Sequence, residues 1–441
     1  MNKLAIKTIG CKLNQYDSQS IAEPFLANGF RWVKFDSQAD IYIINSCTVT
    51  GRADYSSRQA LSRAIRRRNE NSSNKPVVVF TGCYAEVDGV RFDSNPDIDL
   101  VVGTQEKSYI YERVMELIGK KVDTAISQQE TSETERWGRA ITGMKGFSRA
   151  FIKIQDGCNS NCAYCIVPRA RGSEISRRPE EIYKEIERLE NSGYKEVVLT
   201  GVHIGRYNYN DFRFHHLLRD ILSGNGPRIR FSSLEPNEIT DELIDTLIEQ
   251  SRLCRHIHIP VQSGSDEILR SMRRGYKAQK IKKKTELLSK ALPGINLGAD
   301  FIVGFPGETE RDFKLSYDLA ESCGFGYLHV FSYSDRPATI ASGMSGKVTP
   351  VAKSQRSKQL RELSSELLSK KLKSNIGQTG EIVVESRLHR KTGMNTGISD
   401  NYLRAILPGK NDIHGSIVKV RYLEHAGNGK YQYLISEKID G

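Results

Sequence analysis

Cys158, Cys162 and Cys165 stand as C-x3-C-x2-C in the run AFIKIQDGCNSNCAYCIVPRAR. Three thiolates at this spacing can ligate three irons of a [4Fe-4S] cube and leave the fourth iron open. No further cysteine or histidine follows closely. The next histidine is His203, so a closed four-ligand zinc site is the weaker reading. Three thiols that merely pack in a core are also possible, but Asp156, Gly157, Asn159, Ser160 and Asn161 make a poor core.

Three more cysteines follow strand-like runs: Cys11 ends IKTIGC, Cys47 ends IYIINSC and Cys83 ends VVVFTGC. The segments that must position them alternate in type. Strands are expected at 4–9, 39–44 and 77–80, and helices at 18–28 and 56–68, the rhythm of an open α/β domain with a parallel sheet. In such a sheet the carboxyl ends of the strands share one edge, where ligands bind. Cys11, Cys47 and Cys83 would meet there as a second three-thiolate set, although lone cysteines near strand ends are also often small buried hydrophobes. Asn14, Asn45 and Thr48 are polar neighbours, as donors to such a site or as turn residues. Arg63, Arg66 and Arg67 belong to a basic helical face, which reads first as a solvated surface and second as a phosphate contact near Cys47.

The middle of the chain repeats strand then helix six times. Strands are expected at 150–154, 195–200, 229–233, 256–260, 296–303 and 327–331, which predicts an incomplete parallel barrel. Its loops carry the cysteine triplet, GVHIG, LEP, VQSGS and GFPGET. Glu235 in LEP can hold an ammonium group or face solvent. GFPGE at 304–308 is a tight turn that can bring backbone close to a small ligand. His256 and His258 share one face of their strand, either the barrel interior or the helix side. Cys254 and Cys323 read as ordinary thiols.

A basic helix is expected at 350–375. Beyond it, short β-like runs separated by Gly, Asn and Asp turns read as a small all-β barrel. Such barrels often present basic and aromatic side chains to RNA. Tyr402, Lys419 and Arg421 fit that role or that of plain sheet surface. With 441 residues and a formal charge of +12, the chain has room for two or three domains and favours a polyanionic partner. No apolar run is long enough to span a membrane, and MNKLAIKTIG lacks a signal-peptide core, so a cytoplasmic location is expected.

Together these features closely resemble the radical S-adenosylmethionine (SAM) methylthiotransferases that modify tRNA. The resemblance covers nearly the whole chain. It implies a methylthiotransferase domain at 1–125, a linker at 126–145, a radical SAM (β/α)6 partial barrel at 146–350, a basic linking helix at 351–375 and a TRAM-like β-barrel at 376–441. It assigns Cys158, Cys162 and Cys165 to a SAM-binding [4Fe-4S] cluster, and Cys11, Cys47 and Cys83 to an auxiliary one. It further implies that SAM chelates the open iron, that Glu235 with Ser233 orients the SAM amino group, and that Gly304, Pro306, Gly307 and Glu308 close around its methionine portion. One-electron cleavage then yields a 5'-deoxyadenosyl radical, and a second SAM methylates the sulfur to be inserted.

The wording GCKLNQYDSQ, NSCTVTGRADYSSRQ and TGVHIGRY resembles the branch acting on C2 of N6-threonylcarbamoyladenosine at position 37 of tRNA. A sister branch acting on isopentenyladenosine typically reads GCQMN near the first cysteine. The implied partners are the anticodon stem-loop with a modified A37, an electron donor such as flavodoxin or ferredoxin, and a sulfur or iron-sulfur cluster donor. Lys370 and Lys371 join Tyr402, Lys419 and Arg421 as expected RNA contacts. Rival readings are a methylthiotransferase acting on isopentenyladenosine or on a protein residue, and a non-catalytic RNA-binding iron-sulfur protein. The last gives no reason for two triplets that are each one ligand short.

Overall fold

The computed structural model describes residues 2–70, 75–119, 134–248, 250–409 and 413–439. The first unit is a parallel sheet in the order β2-β1-β3-β4-β5, formed by β1 (Lys3–Thr8), β2 (Arg31–Val33), β3 (Ile41–Ser46), β4 (Val77–Gly82) and β5 (Leu100–Val102). Helices cover both faces, and β3 and β4 are buried along their whole length. That is why IYIINS and VVVFTG read as continuous rather than alternating apolar runs.

Helix α1 spans Lys12–Ala27 and starts six residues before the expected 18. Asn14, Asp17, Ser18, Gln19 and Ser20 are polar, as in a turn, yet all are buried. Asn14 and Asp17 pair across to the central domain, Gln19 and Ser20 bond to Lys145 and Arg139, and Ser18 bonds Thr8 and Asn45 within its own unit, so tertiary pairing overrides the local signal. Helix α2 spans Gly51–Glu70, and α3 spans Cys83–Asp93.

The central strands are β6 (Ala150–Lys153), β7 (Glu196–Thr200), β8 (Arg228–Phe231), β9 (His256–Gln262), β10 (Asn296–Val303) and β11 (Tyr327–Ser332). They form two parallel half-sheets, β8-β7-β6 and β9-β10-β11. A single bridge from Ile229 to Leu253 and the hydrogen bond from Leu234 N to His258 O, 2.9 Å, join the halves. Helices pack outside against Ile152, Leu199, Ile229 and Phe231, and Arg228 and Arg230 alternate to the inside. Of the expected linker at 126–145, residues 126–133 lie outside the described residues. The rest is a strap in which Trp137, Ile141 and Met144 are buried.

Helix α4 (Pro350–Lys373) leads to a closed barrel in the order β12-β13-β14-β16-β15. Its strands are β12 (Thr379–Val384), β13 (Asn395–Ser399), β14 (Arg404–Leu407), β15 (Ile417–Ala426) and β16 (Tyr433–Lys438). The short polar NTGIS of β13 was not expected as a strand. It is recruited by pairing with both neighbours. The barrel docks against the amino ends of the central strands. Arg228 donates to Glu381 O and Ile398 O, Arg230 to Ser399 O and Asp400 O, and Asn296 to Asn401 O at 2.9 Å. The carboxyl ends stay free for the cysteine loops.

Candidate iron-sulfur and radical site

The loop after β6 carries Cys158, Cys162 and Cys165. Gly157 makes its entry turn with φ +71°, and a Cβ there would fall 2.0 Å from Ser173 O, so only glycine passes. Ser160 N–H donates to Cys158 Sγ at 3.3 Å, and an Arg274 N–H donates to Cys162 Sγ at 3.2 Å. His203 Nδ1 lies 3.7 Å from Cys158 Sγ, and its Nε2 is bound to Glu238. Burial opposes protonation of this ring, but the bonds to Cys158 and Glu238 carry its pKa up to about 9. The fold thus brings His203 beside the triplet, where the sequence had set it apart. When the ring is protonated, both of its nitrogens are donors, one directed at Cys158 Sγ and the other at Glu238.

Burial raises the Cys158 thiol, yet the bonds from His203 and Ser160 bring it below its ordinary value. Cys165 is pushed up to about 12 by burial. Glu235 sits beside the same loop, bonded to Arg274, and its N–H donates to Glu238 Oε2 at 3.0 Å.

Cys47 and Cys83 directly follow β3 and β4, and Cys11 precedes α1, so the first unit gathers its three cysteines at one sheet edge. Gly10 allows the Cys11 loop to close on Cys47, since a Cβ on Gly10 would lie 2.8 Å from Cys47 Sγ. Cys47 is pushed up to about 12 by burial and then by Cys83, and Cys11 adds to both thiols. Burial also raises Cys83, against the opposing charge of Arg171 and Lys107.

Arg171 closes the short helical segment that follows the first triplet. It donates to both Asp156 oxygens at 3.0 Å, to Asn14 Oδ1 at 2.6 Å and to Asp17 at 3.1 Å. Lys107 and Lys153 complete the cage around Asp17, at 2.6 and 3.0 Å. This buried network locks the two cysteine sets opposite each other. Beside Cys165 opens a cleft lined by Val49 and Thr50 of the first unit, Tyr164 to Ile166 of the cysteine loop, and Gln262, Asp300, Ile302 and Phe331 of the central strands. Each set offers three thiols beside cationic side chains, which suits thiolate ligation with one coordination position left open.

Several expected contacts fall elsewhere. Glu308 is buried, accepting from Gly304 N at 2.9 Å and Arg356 at 2.7 Å, so it fastens the GFPGE turn to α4 instead of facing a ligand. Gly304, Pro306 and Gly307 belong to that clasp and do not line the cleft, and neither does Ser233. Tyr402 stacks on His256 at 4.3 Å, with Arg230 5.2 Å over its ring. It therefore plugs the base of the central domain and offers no face for RNA. Lys371 donates to Ile295 O at 2.7 Å and acts as a strut between domains.

Arg63, Arg66 and Arg67 line a recess with Gln38, Tyr42 and Pro76, at the amino ends of β3 and β4. Twelve residues of helix carry Arg63 about 18 Å from Gly51, at the opposite sheet edge from Cys47. Lys370, Lys419 and Arg421 are exposed. Nothing in the sequence singled out Arg171, Asp17, Lys107, Arg274 or Glu238. Only the GVHIG loop had marked the place of His203.

The comparisons agree with this geometry. Residues 152–320 match the radical SAM superfamily, and residues 3–103 match uncharacterized protein family UPF0004. Threonylcarbamoyladenosine tRNA methylthiotransferase MtaB of Bacillus subtilis is 35% identical, covering 100% of this chain and 98% of the relative. The tRNA-2-methylthio-N(6)-dimethylallyladenosine synthase of Methylacidiphilum infernorum is 32% identical, covering 100% and 96%. A radical SAM methyltransferase, TsrM, from Kitasatospora setae superposes with a TM-score of 0.55 at 15% identity, over 77% of each chain, and so shares the fold. Three thiolates at C-x3-C-x2-C on this fold imply an iron-sulfur cluster and SAM, and the full-length likeness makes the chain a member of the radical SAM methylthiotransferase family.

Proposed function

We propose that the protein adds a methylthio group to C2 of N6-threonylcarbamoyladenosine at position 37 of tRNA, with two [4Fe-4S] clusters and two SAM per turnover. The observation that carries this is the presence of two three-cysteine sets joined through the buried Arg171 network, with Cys165 of one set and Val49 and Thr50, just after Cys47 of the other, lining one cleft. When bound, the clusters and SAM supply one-electron cleavage to a carbon radical and a methylated sulfur for insertion at a C–H bond that acid-base chemistry does not activate.

The chain's own residues hold and orient. Cys158, Cys162 and Cys165 hold one cluster, and Cys11, Cys47 and Cys83 the other. Glu235 presents a carboxylate beside the first loop for the SAM ammonium, and Arg274 keeps it in place. The two cysteine loops, Tyr164 and Phe331 wall the cleft against water. The barrel strand β15 offers Lys419 and Arg421 to the phosphates of the anticodon stem-loop. Electrons come from a flavodoxin or ferredoxin class donor, and replacement sulfur from a sulfur or cluster donor. No described helix is long and apolar enough to cross a membrane.

Anaerobic reconstitution, an iron count and turnover on tRNA carrying threonylcarbamoyl at A37 test the reading. About eight irons and a 2-methylthio product are expected. Turnover only on dimethylallyladenosine-37 tRNA would move the substrate to the sister branch. Iron and RNA binding without 5'-deoxyadenosine would make the protein non-catalytic.

A further inference from the structure

On β9, β10 and β11 the apolar residues Ile257, Ile259, Leu297, Ala299, Phe301 and Leu328 belong to the hydrophobic core under the outer helices. Side chains alternate along a strand, so His258, Asp300, Tyr327 and His329 share the other, inner face. Asp300 stands directly opposite His329 in the ladder, and Gly298 stands opposite both His258 and Tyr327.

Three donor atoms converge there. Asp300 Oδ1 lies 2.8 Å from His258 Nε2 and 3.3 Å from His329 Nδ1, and the three atoms fall within 4.8 Å of one another. Ligand atoms bonded at about 2.1 Å to one metal ion stand about 3.0 Å apart in an octahedral shell and about 3.4 Å apart in a tetrahedral one. Both contacts to Asp300 are near those spacings. Tyr327 OH lies 3.1 Å from His258 Nδ1 and 2.8 Å from His256 Nε2. The His258 nitrogen turned away from Asp300 therefore has a fixed partner, as metal-bound imidazoles do. Gly298 leaves room for that contact, since a Cβ there would lie 2.4 Å from Tyr327 OH and 2.6 Å from His258 Nδ1. The His329 side chain is 54% exposed and Asp300 lines the cleft beside Cys165, so an ion has a way in.

The hydrogen bonds through Tyr327 can run in two directions. From His256 toward His258 they leave the proton on His258 Nε2, which donates to Asp300, and no ion is held. In the reverse direction the proton sits on Nδ1, and the Nε2 lone pair faces a carboxylate, an arrangement that a cation completes. We propose that His258, Asp300 and His329 bind one divalent transition-metal ion through two imidazole nitrogens and a carboxylate, with water at the remaining positions. Such donors suit zinc or ferrous ion, whereas the thiolates of the two cysteine sets suit iron-sulfur clusters. The site shares no ligand with either set and is independent of the substrate reading.

The test uses the full-length protein with its clusters reconstituted, dialysed against Zn2+ held in the low micromolar range by a chelator buffer. Zinc and iron per chain are the readout. Wild type is expected to take up about one zinc with its iron unchanged, and His329→Ala, Asp300→Asn and Tyr327→Phe each to weaken zinc binding by about tenfold or more at full iron content. No zinc in wild type overturns the site. So does zinc that enters only as iron is lost, which would place it on the cysteines, and so does equal zinc in wild type and His329→Ala, which would make it adventitious. Should Asp300→Asn fail to fold, the half-exposed His329 still decides.

Discussion

Two cysteines of different sets separate the two halves of the chemistry. Cys158→Ala should reduce bound iron from about eight to about four and abolish SAM cleavage. Cys83→Ala should lose the same amount of iron, keep 5'-deoxyadenosine formation and yield no methylthio product. Full iron in Cys83→Ala would remove Cys11, Cys47 and Cys83 as a cluster site. At this scale the six cysteines were legible as candidate ligands because each follows a recognisable strand or turn. Their supporting charges were not, since Arg171 and Asn14 lie 157 positions apart and meet only across a domain boundary.

Buried charge clusters hold the elements together. Arg171→Met leaves Asp17 and Asp156 short of a buried partner, a loss of about 3–5 kcal/mol that denaturant unfolding would detect. An unchanged unfolding midpoint would show that Lys107 and Lys153 suffice. Glu196 ties β7 to β8 and, through the two arginines, to the small barrel. Burial raises its pKa, but Arg230 and Arg228 outweigh it and hold the carboxyl at about 2 against an ordinary 4.5. Its folded pKa is depressed, so its stabilisation is present above pH 4.5 and fades as pH falls toward 2, by about 3 kcal/mol in all. Glu196→Gln should flatten the decline in stability between those pH values. A decline as steep as wild type's would place the acid sensitivity elsewhere.

For the whole molecule, the barrel occupies one end of the central strands and the cysteine loops the other. RNA affinity and radical chemistry are thus separable. Charge reversal at Lys419 and Arg421 should raise the Kd for tRNA by about tenfold and reduce its salt dependence, leaving RNA-independent SAM cleavage unchanged. Equal losses in both assays would take the barrel out of RNA binding. The +12 charge pointed to a polyanion but not to its location. Of the basic residues it suggested, Lys371 is spent on a domain contact, and Arg63, Arg66 and Arg67 face away from the cysteine edge.

Local spacing and periodicity determined the C-x3-C-x2-C loop, the strand and helix rhythm of the first two domains and the existence of a small β-barrel, because each depends on neighbours within a few residues. The tertiary structure alone decided that His203 lies beside Cys158, that Glu308 is a clasp and that Tyr402 is a plug. Those roles come from charges and rings brought together from distant segments. Polar residues such as Asn14 and Asp17 look like turn residues until a partner from another domain compensates their burial.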